Sequence, residues 1–123
     1  MNSKQLEGRL RQLAYRIVVM CESLPSTKIS GIIEKQILRS AFSAAANYRA
    51  ACKGMTRKSF IAKLSIAFEE ADETLFWLEV IEDLKLLQPK KLTLLKDEAY
   101  ELSSILGSSR KTLQKTSKVS VEK

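Results

Sequence analysis

The sequence contains no histidine, and that absence limits the chemistry available to it. Neither the Ser-His nor the Cys-His pair that activates a nucleophile can form, and no glycine-rich phosphate loop is present. Cys21 and Cys52 lie too far apart for a CxxC metal or redox motif, and we interpret both as buried small apolar residues. We therefore expect a protein that is not an enzyme, with no cofactor and no small-molecule substrate.

The lack of histidine also bears on an acidic cluster that could otherwise bind a metal. Residues 69–83 carry seven acidic residues and no base, but metal-binding helical bundles combine such carboxylates with Glu-x-x-His motifs on two helices. We therefore expect no metal site. The acidic cluster fits either a solvated helix face or a salt-bridging interface, including one with basic residues of a neighbouring subunit.

Proline, glycine and long apolar runs are scarce as well. Two prolines and four glycines leave few positions at which a helix must stop. No window of about 18 residues is uncharged and apolar, so the sequence predicts no transmembrane helix. The N-terminal stretch lacks the apolar core of a signal peptide. We expect a cytoplasmic protein without a membrane partner.

Apolar residues recur at spacings of three and four, which is the period of an amphipathic helix. The first predicted helix covers about residues 3–23 and stops before Pro25. The second covers residues 28–53 and ends at Gly54. The third begins after Thr56, a favourable N-cap, and meets no glycine or proline before Pro89.

The fourth predicted helix starts near Lys91, is weakened by Gly107 and frays beyond Arg110, where the apolar period is lost. Short connections between helices make successive helices antiparallel. The expected fold is therefore all-α, an antiparallel up-down-up-down four-helix bundle over residues 1–115, with a flexible C-terminal tail at residues 116–123.

Two polar residues lie on the apolar stripe of the second helix, in the stretch SAFSAAANYR of residues 40–49. The small residues of this stretch favour close approach of a neighbouring helix. Ser40 can donate to a carbonyl one turn earlier, whereas the amide of Asn47 is expected to reach another helix. The two residues are interpreted as a structural polar core.

Both central helices carry a second apolar face. Phe42 points away from the core stripe of the second helix, and five residues of the third helix point away from its stripe. Exposed apolar patches usually mark protein interfaces, so we predict a homo-oligomer with Trp77 as an anchor. The alternative is that the first or last helix covers this face. The candidate interface residues are Phe42, Ile66, Trp77, Val80, Ile81 and Leu84.

The net charge of +7 is unevenly distributed, because residues 28–58 carry seven bases and a single acid, Glu34. Phe42 and Tyr48 are interleaved with these basic residues. In such an arrangement the basic side chains can contact phosphates while an aromatic ring stacks on a nucleobase. A solvated helix face explains the same pattern. The candidate residues for binding RNA or DNA are Lys35, Arg39, Arg49, Lys53, Arg57 and Lys58.

Residues 38–84 resemble the bacterial 23S rRNA intervening-sequence proteins, a family also labelled as ribosomal. The resemblance begins with a serine, a small residue, a second serine and an asparagine, and continues through the segment SFIAKLSIA. It ends in an acidic-aromatic run of the type E-A-x-E-T-x-x-W-L. The matching positions are Ser40, Ala41, Ser43, Asn47, Glu70, Ala71, Glu73, Thr74, Trp77 and Leu78.

This resemblance implies a four-helix bundle that assembles as a ring-shaped homo-oligomer, usually a pentamer. Related accessory proteins of diversity-generating retroelements bind nucleic acid and a reverse transcriptase. Many family members carry an acid and a glycine shortly after the asparagine, where this chain has Tyr48, Arg49 and Ala50. The second helix is therefore expected to be more continuous and more basic here.

Two hypotheses follow for the function. The first is a non-enzymatic homo-oligomeric bundle whose basic surface binds RNA or DNA. The second is a protein-binding scaffold or adaptor that does not bind nucleic acid, in which the second apolar faces serve self-association and a protein partner.

Overall fold

The computed structural model describes the backbone of residues 1–122 and the side chains of residues 1–116. Within this part of the chain the backbone forms four α-helices and a short 3-10 turn, with no strand, which confirms the all-α class. The helices are α1 (Ser3–Cys21), α2 (Lys28–Lys53), α3 (Arg57–Asp83) and α4 (Thr93–Glu122), and the turn covers Pro89–Lys91. None of these helices combines the length and apolarity needed to cross a membrane.

Side-chain caps fix where the first three helices begin. Asn2, Thr27 and Thr56 each accept a hydrogen bond from a backbone N–H in the first turn of the helix that follows. Asn2 and Gln5 form a reciprocal capping box. The predicted bounds of the second helix and the predicted cap at Thr56 are confirmed.

The third helix ends earlier than predicted, at Asp83 rather than near Pro89. Lys85 adopts a left-handed conformation with φ of 57°, and the amide of Leu86 donates to the carbonyl of Ile81 at 3.0 Å. Helices often end in such a left-handed residue, which is usually glycine. Because a lysine occupies that position here, the sequence carries no visible stop signal.

The fourth helix continues past both of its predicted weak points. It passes through Gly107 and Arg110 to Glu122, and Leu113 packs against the core. The expectation that this helix frays directly beyond Arg110 is therefore wrong for residues 111–116. The predicted flexible tail covers residues 116–123. The structure describes no side chain beyond residue 116, so this tail stays a prediction.

Each helix packs against its two neighbours: α1 on α2, α2 on α3, α3 on α4, and α4 on α1. The short connections make these neighbours antiparallel. The interior is filled mainly by leucine, isoleucine and alanine, with Leu10, Ile37, Leu78 and Leu102 almost fully buried. Cys21 belongs to this core, but Cys52 is exposed, so the interpretation of both thiols as buried is wrong for Cys52.

Candidate nucleic-acid interface and association face

A surface groove of about 440 Å³ lies between α1 and α2. We call it the aromatic groove. It is lined by Arg11, Tyr15, Phe42, Ala45, Ala46, Arg49, Ala50 and Lys53.

Two partly exposed rings stand in the aromatic groove, one from each helix. The centroids of Tyr15 and Phe42 are 6.2 Å apart and the ring planes are tilted by 52°. Tyr15 is 46% exposed and Phe42 is 40% exposed. Each side chain is therefore partly exposed to solvent and packs against the other ring.

Basic residues flank this pair of rings. Arg49 follows Phe42 by seven residues, two helical turns, so the two side chains lie on the same side of α2. Lys53 continues that row by one more turn, and Arg11 faces both from α1 while bound to Glu7 at 3.0 Å. No acidic residue of the described part lines the groove. The groove therefore combines stacking surface with net positive charge.

Arg39, a predicted nucleic-acid contact, lies instead in an intramolecular ion-pair cluster. Its guanidinium donates to Glu70 at 2.6 Å and also to Glu73. Hydrogen bonds with Glu73 and Glu70 raise the pKa of Arg39 above its ordinary value. Two carboxylates already neutralise this charge, which leaves Arg39 poorly suited to bind a phosphate.

The other predicted bases are dispersed. Lys35 is exposed on α2 two turns before Phe42, and Arg57 and Lys58 are exposed at the start of α3; none of them lines the aromatic groove. Tyr48 is only 5% exposed, and burial raises the pKa of its hydroxyl. Its ring therefore cannot stack on a nucleobase.

The sequence prediction missed Arg11 and Tyr15. Both lie on α1, which contributes to the groove only because the fold places it beside α2. Their spacing of four residues puts them on one side of α1, away from the core residues Leu10 and Leu13. That spacing was the available signal, but it does not identify which helix lies opposite.

A second surface of interest spans α2 and α3, where apolar side chains remain at the surface. Ile32 is 51% exposed, Ile66 is 39% exposed and Leu84 is 51% exposed, whereas Trp77 and Val80 are half-buried. Ile32 precedes Arg39 by seven residues, and Ile66 precedes Glu73 by seven. The Arg39–Glu73 ion pair therefore places these residues on one side of the bundle. We call Ile32, Ile66, Trp77, Val80 and Leu84 the association face.

Two predicted interface residues lie elsewhere. Phe42 stands in the aromatic groove. Ile81 is fully buried, so it cannot contact a second subunit unless the core opens. Trp77 is also more constrained than predicted: it packs against the core, and its Nε1 donates to Glu73 at 3.1 Å.

The two polar residues of the second helix differ in their environment. Ser40 is fully buried, donates to the carbonyl of Ile37 at 3.1 Å and lies 2.9 Å from the Thr74 hydroxyl on α3. Asn47 is half-buried, and its amide donates to the carbonyl and hydroxyl of Ser43 on its own helix. The expectation that Asn47 reaches another helix is therefore wrong, because a serine one turn earlier satisfies its donors.

The chain resembles known proteins over most of its length. A protein of unknown function from the S23 ribosomal protein family of Bacteroides thetaiotaomicron shares the fold with a TM-score of 0.81 and 32% sequence identity, over 90% of this chain and 99% of that one. No curated protein matches the chain. The family model described as 23S rRNA-intervening sequence protein matches residues 7–108. With the resemblance of its central helices confirmed in this way, the chain belongs to the 23S rRNA-intervening sequence protein family.

Proposed function

We propose that this chain is a non-enzymatic, self-associating helical bundle that binds single-stranded RNA or DNA in the aromatic groove. The observation that carries this proposal is the exposed Tyr15–Phe42 pair flanked by Arg11, Arg49 and Lys53. Aromatic rings bind unpaired nucleobases by stacking, and neighbouring arginine and lysine side chains contact the phosphate backbone.

The geometry favours a single strand over a duplex. In a duplex the faces of the bases are covered by their neighbours, so a ring in a groove can reach a base face only where the strand is unpaired. Tyr15 and Phe42 lie between α1 and α2 and contact each other.

Binding is tested by fluorescence anisotropy of a labelled mixed-sequence RNA and its DNA counterpart over a salt series. We expect log K to fall linearly with log salt concentration. The double variant Arg49→Gln/Lys53→Gln should reduce that slope by about 1.4, because each phosphate contact to a single strand contributes about 0.7. Arg39→Gln is the matched control, since it removes a base already bound to two carboxylates, and it should leave the slope unchanged.

The contribution of stacking is tested separately. Tyr15→Leu and Phe42→Leu keep the charge of the groove and should each weaken single-strand binding by about 1–3 kcal/mol. A duplex of the same sequence should bind more weakly and show no loss with either variant. Salt-independent binding, or equal losses in Arg39→Gln and Arg49→Gln/Lys53→Gln, would exclude the groove as the site.

Self-association is supported by the association face. Three of its apolar residues are 39% to 51% exposed in the single chain, and removal of exposed apolar surface from water favours association with another chain. A light-scattering mass at the monomer value of 13.9 kDa would rule self-association out. Ile32→Asp and Leu84→Asp test the face better than Trp77→Asp, because Trp77 also packs against the core.

The second candidate, a scaffold that binds only proteins, is favoured by the same exposed apolar surface. Capture of partners from lysate, with and without nuclease treatment, separates the two candidates. Partners that survive nuclease and are lost with Leu84→Asp support the scaffold. Partners that disappear with nuclease support nucleic-acid binding.

A further inference from the structure

A second cleft, distinct from the aromatic groove, lies at the end of the bundle where the last turns of α1 meet the start of α4. Its volume is about 400 Å³. The apolar part is unusually open, because Val19 is 65% exposed and Leu94 is 71% exposed. We call it the basic cleft. It is lined by Arg16, Val19, Met20, Ser23, Leu87, Lys90, Lys91, Leu94 and Leu95.

All charge in the basic cleft is positive. Arg16, Lys90 and Lys91 surround its apolar floor, and none of the described acidic residues lines it. Within residues 1–116 these three bases take part in no ion pair. An occupant should therefore present an apolar side chain surrounded by acidic groups, because that arrangement complements both the floor and the rim.

The chain itself carries such a surface on the solvent side of α3. Phe76 is 51% exposed, and acids precede and follow it at spacings of three and four residues, so that they share its side of the helix. All four acids are exposed, and none of them forms an ion pair in the described part of the chain. We call this row the acidic stripe: Glu69, Asp72, Phe76, Glu79 and Asp83.

We propose that the basic cleft of one copy binds the acidic stripe of a second copy, with Phe76 on the apolar floor beside Val19 and Leu94. The acids flanking Phe76 then face Arg16, Lys90 and Lys91. This inference rests on the self-association proposed above and adds a contact between two surfaces other than the association face. An apolar anchor with a complementary charged rim is the usual composition of a protein interface.

The basic cleft and the acidic stripe are different surfaces, so the contact between them is heterologous. The basic cleft is built by α1, the 3-10 turn and α4, whereas the acidic stripe lies on α3, which packs between α2 and α4. One copy therefore offers its stripe while its own cleft remains available to another copy. Such head-to-tail contacts give a closed ring if the rotation closes and an open filament if it does not.

Charge reversal on each surface tests the pairing. Lys90→Glu/Lys91→Glu makes the cleft net acidic, with Arg16 as its one remaining base, and Asp72→Lys/Glu79→Lys/Asp83→Lys makes the stripe net basic, with Glu69 as its one remaining acid. Each variant alone brings like charges together and should fall below the wild-type mass in light scattering at low salt, toward the 13.9 kDa monomer mass. Mixing the two variants should restore assembly, because each reversed surface then meets an opposite charge. In a filament or an even-membered ring the two variants should alternate in equal numbers, whereas an odd-membered ring would keep one like-charged contact and should open or change its size.

Controls distinguish a specific contact from a general effect of charge. Lys28→Glu/Lys63→Glu changes the net charge as much as the cleft variant does, at exposed positions outside the cleft, and should keep the wild-type mass. Phe76→Ser tests the apolar anchor without changing charge and should also shift the mass toward the monomer. Far-ultraviolet circular dichroism verifies that each variant is helical.

Three outcomes would overturn this inference. A monomeric wild-type chain would remove both the inference and the proposed self-association. A wild-type oligomer whose mass is unchanged by either reversal, or two variants that remain dissociated when mixed, would remove the inference alone. A cleft variant that keeps its mass but loses affinity for the labelled RNA would make the basic cleft a nucleic-acid surface instead.

Discussion

An ideal Cβ placed on Gly107 of α4 would lie 2.7 Å from Cε1 of Phe68 on α3. The ring of Phe68 occupies the space that a side chain at position 107 would need, and the guanidinium carbon of Arg110 lies 4.5 Å from the ring centroid. Gly107 therefore sets how closely α3 and α4 approach at this level.

Gly107→Ala should destabilise the bundle although it improves helix propensity. Alanine in place of glycine in a helix interior gains about 1 kcal/mol, but the added methyl group forces Phe68 out of its position, and overpacking of this kind typically costs about 1–3 kcal/mol. We expect a net loss of up to about 2 kcal/mol in the free energy of unfolding, measured by urea denaturation.

Gly8→Ala is the matched control for that substitution. Gly8 lies inside α1, and no neighbouring side chain or other helix lies within 4 Å of the position that its Cβ would take. The substitution therefore changes only the helix propensity, without a packing clash. It should raise the free energy of unfolding by up to about 1 kcal/mol. If Gly107→Ala stabilises the chain as much as Gly8→Ala does, Phe68 can move without cost and the close-packing interpretation is wrong.

The buried hydroxyls of Ser40 and Thr74 share two protons among three contacts. Ser40 reaches the carbonyl of Ile37, Thr74 reaches the carbonyl of Glu70 at 2.9 Å, and the two hydroxyl oxygens are 2.9 Å apart. Since each hydroxyl has one hydrogen, only two of the three hydrogen bonds exist at any moment. Either hydroxyl can therefore lose its partner and still donate to a carbonyl of its own helix.

Ser40→Ala and Thr74→Val should each cost about 1 kcal/mol in the free energy of unfolding, because each removes one net hydrogen bond. The double variant should cost about the sum of the two, since the wild type has two of the three hydrogen bonds, each single variant keeps one and the double variant has none. A double-mutant cycle by chemical denaturation tests this additivity. A double variant that costs clearly less than the sum would mean that the hydroxyl left alone in a single variant does not donate to the carbonyl of its own helix.

Most of the fold could be predicted from helix-period patterns and capping residues. The second helix has both signals, a threonine cap and Gly54 at its end, and its bounds were predicted correctly. The end of the third helix was misplaced because Lys85 takes the left-handed position that glycine usually fills. The sequence pattern predicts that the fourth helix frays, and this is wrong because the contacts that hold the helix come from tertiary packing, which the pattern does not show. One of them is the packing of Leu113 on the core.

The candidate site was only partly predictable because it depends on two helices. Phe42, Arg49 and Lys53 share one side of α2, which spacing alone establishes. Tyr15 and Arg11 join them only through the packing of α1 on α2. Arg39 was predicted as a phosphate contact because its carboxylate partners, Glu70 and Glu73, lie more than 30 residues away in the sequence.

The two cysteines should differ sharply in their reaction with a thiol reagent. Cys52 is exposed, whereas Cys21 is buried and burial raises the pKa of its thiol to about 12, with Glu34 adding to the shift. At pH 8 a thiol with that pKa is ionised in only about one molecule in 10⁴. A chromogenic disulfide reagent should therefore react at once with one thiol per chain, and with the second only after denaturation.

Cys52→Ala verifies which thiol reacts first. It should abolish the fast phase and leave the denaturation-dependent one, whereas Cys21→Ala should do the opposite. Two fast thiols per wild-type chain would contradict the burial of Cys21.

The raised pKa of Cys21 also predicts how the stability of the chain responds to alkali. Because the folded pKa, about 12, lies above the ordinary value of 9.0, the folded state keeps a proton that the unfolded state loses in this range. The stabilisation is complete below about pH 9 and is lost as the pH rises toward 12. Tyr48 adds to the loss above its ordinary value of 10.0, since its pKa is raised in the same direction.

The free energy of unfolding should therefore fall above pH 9, by at most about 1.4 kcal/mol per pH unit for each group. Urea denaturation of the wild type and of Cys21→Ala at pH 8, 9, 10 and 11 measures the slope. The variant should be less stable at pH 8, because a buried sulfur is lost, but its stability should decline less steeply between pH 9 and 10. Above pH 10 both proteins should decline, since Tyr48 is present in each. Parallel curves for the two proteins from pH 8 to 10 would show that Cys21 does not titrate differently in the folded and unfolded states.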